Sequence, residues 1–214
     1  MTGQTTALMA LRDPDIRLMV RVRADDQAAF AELVDKYQHR LIGVMHHLIG
    51  HSQEAEDIAQ EVFLRVYRTR YKHSPKAKFT TWLFTIANNL AMNAIRNQKR
   101  RQTIPLGASE SGGFGTQAAD TGPAPAHALH QQELSAVIRQ ALDDLPDRHR
   151  VAVVLNKFED MGYAEIGEVM GLSVKAVKSL LSRARGKLRE ALQPYIDPDA
   201  ASKPGETTDD ESVS

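Results

Sequence analysis

An all-α fold, in two small helical domains joined by a flexible linker and with a helix-turn-helix in the second, is predicted by three features of this 214-residue chain. Apolar residues recur at spacings of three, four and seven through most segments, and no convincing two-residue alternation interrupts them. Between residues 102 and 127 the periodicity lapses in a stretch that holds five glycines and three prolines, the composition of a linker. Beyond it lies a glycine-punctuated apolar pattern of helix-turn-helix spacing.

Residues 1–26 read as an N-terminal extension. They carry Arg12, Asp13, Asp15, Arg17, Arg21 and Arg23 and no apolar run of signal-peptide length. No later stretch reaches 18 uncharged apolar residues, so neither export nor membrane insertion is expected, and the chain reads as cytoplasmic. The absence of cysteine excludes disulfides and thiolate metal sites.

Residues 27–101 read as one helical domain. Phe30, Leu33, Val34, Tyr37, Leu41, Val44, Met45 and Leu48 lie on one helical face, with Asp25 or Asp26 placed to cap its start. A second helix is expected from Ser52 to about Arg70, and a third from near Thr80 to roughly Arg100. After the linker, residues 128–193 form the other domain. Leu134, Val137, Ile138 and Leu142 mark its first helix, and Pro146 starts the next. Residues 194–214 are acidic, and disorder is expected of them. An apolar content of 42% is enough for real cores in both domains.

A formal charge of zero hides segregation. Residues 1–101 hold 16 Lys+Arg against 10 Asp+Glu, net +6, whereas residues 194–214 are net −5. From Val62 to Arg101 there are ten cations and no acid, and from Ser173 to Arg189 six and again none. Two basic stretches in two separate segments point to two contacts with a polyanion.

The second stretch lies in YAEIGEVMGLSVKAVKSLLSRARGKL, residues 163–188. A helix-turn-helix needs a small residue where its helices touch, a glycine at the turn, and apolar residues wedged between them. Gly167, Gly171, Ile166, Met170, Leu172 and Val177 supply these. Ser173 can cap a second helix that projects Val174, Lys175, Ala176, Lys178, Ser179 and Ser182 toward a groove. Arg183 and Arg185, followed by Lys187 and Arg189, are placed for phosphate.

The first stretch ends in FTTWLFTIANNLAMNAIRNQKRR, residues 79–101. Trp82, Leu83 and Ile86 read as an apolar core strip. Phe79, Thr80 and Thr81 offer an aromatic ring and two hydroxyls to unstacked bases. Asn88 and Asn89 can each donate and accept at a base edge, and Arg96, Lys99, Arg100 and Arg101 form a cationic track for a DNA backbone.

In this order, and split by a linker, these segments resemble the extracytoplasmic-function (ECF) sigma factors of bacterial RNA polymerase. AEDIAQEVFLRVYR matches the family's polymerase-binding helix, FTTWLFTIANNLAMNAIR its segment for melting and recognising the −10 element, and LDDLPDRHRVAVVL with YAEIGEVMGLSVKAVKSLLSRAR its −35-binding domain. The resemblance implies polymerase contacts by Asp57, Gln60, Glu61, Phe63, Leu64 and Arg65, and adds Asn93 to the −10 set. It implies core RNA polymerase and promoter DNA, duplex at −35 and melted at −10, as partners, with an anti-sigma factor as a further candidate. Gly167 departs from the family, which usually has alanine there.

Catalysis has little support: phosphate-binding glycine loop and nucleophile elbow are both missing. His47 and His51 have a metal-compatible spacing of four, but Gly50 between them is a helix terminator and no further ligand pattern accompanies them. No metal or cofactor is expected. A free-standing two-domain helix-turn-helix regulator that never joins polymerase is the alternative, and it leaves residues 57–65 without a purpose.

Overall fold

The computed structural model describes residues 13–72, 78–103 and 125–196, which form eight α-helices and one 3-10 turn, with no strand among the described residues. The helices are α1 (Pro14–Arg23), α2 (Gln27–Ile49), α3 (Ser52–Arg68), α4 (Phe79–Thr103), α5 (Pro125–Asp143), α6 (Asp147–Phe158), α7 (Tyr163–Met170) and α8 (Val174–Ile196). Both ends of α2 obey local chemistry. The Asp26 carboxylate accepts the Ala29 N–H at 3.0 Å, and Gly50 closes the helix in the left-handed region at φ 84°, where a side chain would be strained.

α2 is the axis of the first domain, packing against α1, α3 and α4. It buries Leu33, Tyr37, Leu41, Val44, Met45 and Leu48, while α3 answers with Ala55, Ala59, Val62 and Val66 and α4 with Leu83, Phe84, Ala87, Ala91 and Ile95. Six of the eight residues of the expected stripe are therefore core, and Phe30 and Val34 are half-buried against it.

α1 falls within the segment read as an extension, and its position corrects that boundary. Asp13 caps it by accepting the Asp15 N–H at 2.9 Å, and Ile16, Leu18, Met19 and Val22 are buried. The Asp15 carboxylate is buried too, accepting hydrogen bonds from the Tyr37 hydroxyl and the Lys36 ammonium. Burial, followed by that acidic neighbour, raises the Tyr37 phenol far above its ordinary pKa, so it stays a donor. At the far end of α1, Asp25 at φ 63° accepts from the Arg70 guanidinium at 2.6 Å, pinning the turn before α2 to the 3-10 turn Arg70–Lys72.

In the second domain α6 is the axis. Five consecutive residues, Val151 to Leu155, are buried, the mark of a helix covered on every side. Its N-cap is Pro146, and the buried Arg150 reaches back to Asp143 of α5 at 2.8 Å. α8 lays Val177, Leu181 and Ala184 inward at spacings of four and three, packing on α5, α6 and α7.

Element boundaries differ slightly from expectation. α4 continues to Thr103 and α5 begins at Pro125, so both intrude on the stretch read as linker, whose residues 104–124 lie outside the described residues. α8 continues through Pro194 to Ile196; a proline in the last turn removes a donor where few helical bonds remain. Residues 197–214 also lie outside the described residues.

The two domains pack against each other. α4 lies on α7 and α2 lies on α6, and one hydrophobic cluster runs through both domains. The His47 ring stacks on Phe158 at 4.0 Å between centroids. Burial pulls the His47 pKa below its ordinary value, so it sits there as the neutral ring.

Replacing Asp15 with Ala should destabilise the first domain by about 1–3 kcal/mol, because it strands the buried Tyr37 hydroxyl without an acceptor. Urea denaturation monitored by circular dichroism measures this, and unchanged stability would remove the α1 anchor from the fold's account.

Candidate polymerase and nucleic-acid interfaces

The outer face of α3 gathers four of the six predicted polymerase contacts in the open: Asp57, Gln60, Leu64 and Arg65 are exposed. Glu61 sits half-buried among them. Positions 57, 60, 61 and 64 share one side of the helix, and Ala59, Val62 and Val66 occupy the other. Arg65 donates to Glu61 at 2.8 Å, and that hydrogen bond keeps the Glu61 carboxyl below its usual pKa. Leu64 is 49% exposed, an apolar group ringed by charge. Phe63 corrects the prediction: it is buried, because its position lies on the inward side of α3 with Ala59 and Val66. It supports the surface from beneath.

On α4 the predicted residues divide. Asn89, Asn93, Arg96 and Arg100 are exposed and stand at spacings of four, three and four, so they form one continuous stripe. The Arg96 guanidinium donates to the Asn93 side-chain oxygen at 3.3 Å, and Arg101 is exposed beside the stripe. Thr80 is half-buried. Phe79 and Thr81 depart from expectation, being only 1% and 6% exposed. Phe79 stands in register with Leu83 and Phe84, and its ring meets Tyr37 at 5.2 Å, so the core claims the aromatic that was read as a base-stacking group. Trp82 packs against the core, as its spacing implied.

Asn88 and Lys99 occupy a second stripe of α4. The Asn88 side-chain oxygen is buried without a donor among the described residues. Lys99 donates to both oxygens of Asp147, at 2.7 and 2.8 Å. The Asp147 partner comes from α6, a pairing across 48 residues that no local pattern could announce.

The helix-turn-helix is built as its spacing demands. Gly171 turns the chain at φ 64°, and the Ser173 hydroxyl accepts the Ala176 N–H at 3.2 Å to cap α8. With Val177, Leu181 and Ala184 turned inward, Val174, Lys175, Lys178, Ser179, Ser182, Arg183 and Arg185 are exposed together with Ser173, while Ala176 is half-buried. Arg185 also donates to the Tyr163 hydroxyl at 3.0 Å, tying the basic helix to α7. His149 of α6 joins this edge: burial and then the charges of Arg183 and Lys187 pull its pKa down. Sequence reasoning missed His149 because it lies in a different helix.

Gly167 marks the closest approach of α7 to the turn. A Cβ there would stand 2.7 Å from the Leu172 carbonyl oxygen, which is backbone and cannot swing aside. Gly167→Val should therefore destabilise the helix-turn-helix by roughly 1–3 kcal/mol, the cost of overpacking. Thermal melting checks this, and a Tm at or above the unsubstituted protein's would contradict the close approach.

Comparison with known proteins converges on one family. The sequence profile of sigma-70 region 2 matches residues 33–101, and that of sigma-70 region 4 matches residues 135–188. RNA polymerase sigma-H factor of Pseudomonas aeruginosa is 35% identical over 190 residues, 88% of this chain and 98% of that one. ECF sigma factor SigW of Bacillus subtilis is 36% identical over 177 residues, 81% and 94% of the two chains. Among solved structures, CnrH in complex with the cytosolic domain of CnrY superposes with a TM-score of 0.64 at 26% identity, covering 85% of this chain and 98% of that one. RpoE of Bartonella quintana, solved with the anti-sigma factor NepR, shares the fold at a TM-score of 0.61 and 20% identity, covering 77% and 96%. With both conserved regions in order and these relatives aligned nearly end to end, the chain belongs to the extracytoplasmic-function sigma factors of the sigma-70 family.

Proposed function

We propose that this sigma factor divides its work among three surfaces: the outer face of α3 docks on core RNA polymerase, the Asn89–Asn93–Arg96–Arg100 stripe of α4 holds the melted −10 strand, and the exposed face of α8 reads the −35 element. The observation that carries this reading is the separation of chemistry by helix. An acidic and apolar face on α3, an amide and guanidinium stripe on α4, and a hydroxyl and lysine face on α8 are each exposed.

Each surface suits its target. Asparagine amides can both donate and accept at a displaced base, and the arginines beside them follow the backbone. The −10 set is accordingly Asn89, Asn93, Arg96, Arg100 and Arg101, with Asn88 and Lys99 joining where their stripe is uncovered; Phe79, Thr81 and Trp82 act as scaffold. Lys175, Lys178, Ser179 and Ser182 lie within the first three turns of α8, where a major-groove helix meets base edges, and Arg183 and Arg185 follow toward phosphate. No covalent step is assigned to any residue. The factor works by binding, in the cytoplasm where polymerase acts, with a protein of the anti-sigma kind as a further partner. Domain limits of 27–101 and 128–193 carry over as working boundaries, with α1 added to the first. Addition of the protein to core polymerase, with transcription from a promoter that core alone ignores, tests the whole reading.

Reversing Asp57 and Glu61 together to Lys should leave the fold within about 0.5 kcal/mol of its starting stability, since both lie outside the core. Like charge then faces a cationic docking surface on polymerase, and affinity should fall at least about a hundredfold. Fluorescence titration with core polymerase, alongside circular dichroism, reads both outcomes. A folded double variant with unchanged affinity would end the assignment of α3.

On α8, Lys178→Ala and Arg183→Ala should differ in kind. Loss of a base contact costs about 1–3 kcal/mol and relaxes sequence choice, whereas loss of a phosphate contact weakens all sequences alike and flattens the salt dependence. Binding measured across a panel of −35 duplexes separates the two. Equal, sequence-independent losses would move Lys178 into the phosphate set.

A further inference from the structure

Three ion pairs bridge the two domains: Arg40 to Glu159 at 2.6 Å, Lys78 to Glu165 at 2.7 Å and Lys99 to Asp147 at 2.7 Å. All three have the same polarity. The cation belongs each time to the first domain, the more basic half of the chain, and the carboxylate to the helix-turn-helix domain. We propose that these pairs form an electrostatic latch, in which Glu165 and Asp147 stand in for DNA phosphate at the two ends of α4, Glu159 holds Arg40 of α2, and together they keep the factor closed until nucleic acid or polymerase displaces them. This rests on the reading of α4 as the strand-binding helix.

Placement supports the latch. Lys78 immediately precedes α4 and Lys99 lies near its end, roughly 30 Å further along the axis at 1.5 Å per residue. The two pairs therefore clamp both ends of the helix, and α7 packs against it. Asp147 receives two hydrogen bonds from Lys99, the bonds a phosphate would receive from the same ammonium. Lys99 cannot serve both at once.

Geometry also requires that the domains separate. The −10 and −35 elements lie about 25 base pairs apart, roughly 85 Å at 3.4 Å per base pair. With α4 and α7 in contact, one chain cannot cover both elements. The latch pairs suit release, because their cationic partners are all solvent-exposed and exposed pairs are weak and screened by salt. On the acid side Asp147 and Glu165 are half-buried, and the Glu159 side chain is only 2% exposed. Burial raises its pKa, and Arg40 from the opposite domain is the charge that compensates it. An apolar residue at such a site is often as stable or more so, which points to a role in setting the domain arrangement.

The absence of cysteine makes the test direct. Glu56→Cys on α3 and Glu190→Cys on α8, both at exposed positions, carry a fluorophore pair that reports interdomain distance without DNA or polymerase. Energy transfer should fall as salt rises from about 0.1 to 1 M, over which the screening length drops from about 10 to 3 Å. The triple variant Asp147→Asn, Glu159→Gln, Glu165→Gln keeps hydrogen-bonding side chains, including an acceptor for the Gly162 N–H that Glu165 caps at 2.9 Å, while removing the charge. It should show about a tenfold higher ratio of open to closed form at low salt, three pairs contributing roughly twofold each, and little remaining salt response. Lys78→Glu, which alters the other side of one pair, should shift the ratio in the same direction even if the triple variant folds poorly. Affinity for a single-stranded −10 oligonucleotide should rise in step with opening. Energy transfer indifferent to salt, to the triple variant and to Lys78→Glu would overturn the latch. Transfer that responds while oligonucleotide affinity stays constant would uphold the charge-controlled closure and overturn the strand-binding assignment of α4.

Discussion

Tyr37, halfway along α2, joins three helices through one side chain. Its hydroxyl is buried and must donate, which draws the Asp15 carboxylate and with it α1 onto the domain. Its ring face is apolar and takes the Phe79 ring at the first turn of α4. Once Phe79 points inward, the rotation of α4 is determined, since a helix advances about 100° per residue. Leu83, Ala87 and Ala91 follow into the core, and Asn89, Asn93, Arg96 and Arg100 are left on the outside. The presentation of this exposed amide and guanidinium stripe is thus a consequence of how the core is packed ten to twenty residues earlier.

The same economy governs α8. Val177, Leu181 and Ala184 bind it to the second domain, and the close approach at Gly167 sets the angle at which it leaves the turn. The residues available to a groove are those the core does not use. Stability and recognition are carried by opposite faces of the same helices, so surface substitutions can change binding while the fold is preserved. Phe63 and Phe79 show the converse, where residues inside a sequence motif are buried beneath the surface that its other residues present.

Charge is distributed with comparable separation. Basic stretches on α4 and α8 suit a polyanion, but in the closed molecule part of the first is occupied by carboxylates of the second domain. Each bridging pair is individually weak in water. Acting at three points across one interface, they make domain arrangement sensitive to any competing polyanion and to ionic strength.

The sequence by itself determined the all-α class, the two helical segments, a cap at Asp25 or Asp26 that the structure assigns to Asp26, the stops at Gly50 and Gly171, and the helix-turn-helix, because each follows from spacing or from the backbone chemistry of a few adjacent residues. It also marked α4 and α8 as candidate nucleic-acid helices, since amides and cations without acids leave a local compositional trace. Tertiary structure decided what periodicity cannot express. Phe79 and Thr81 went to the core and Phe63 beneath the surface, because whether an apolar group at a helix edge is buried depends on which helix lies against it. Residues 14–23 became part of the first domain because Asp15 finds Tyr37 22 positions away. The pairing of Arg40, Lys78 and Lys99 with Glu159, Glu165 and Asp147 spans 119, 87 and 48 residues, and only the folded arrangement of both domains brings such distant charges within reach of each other.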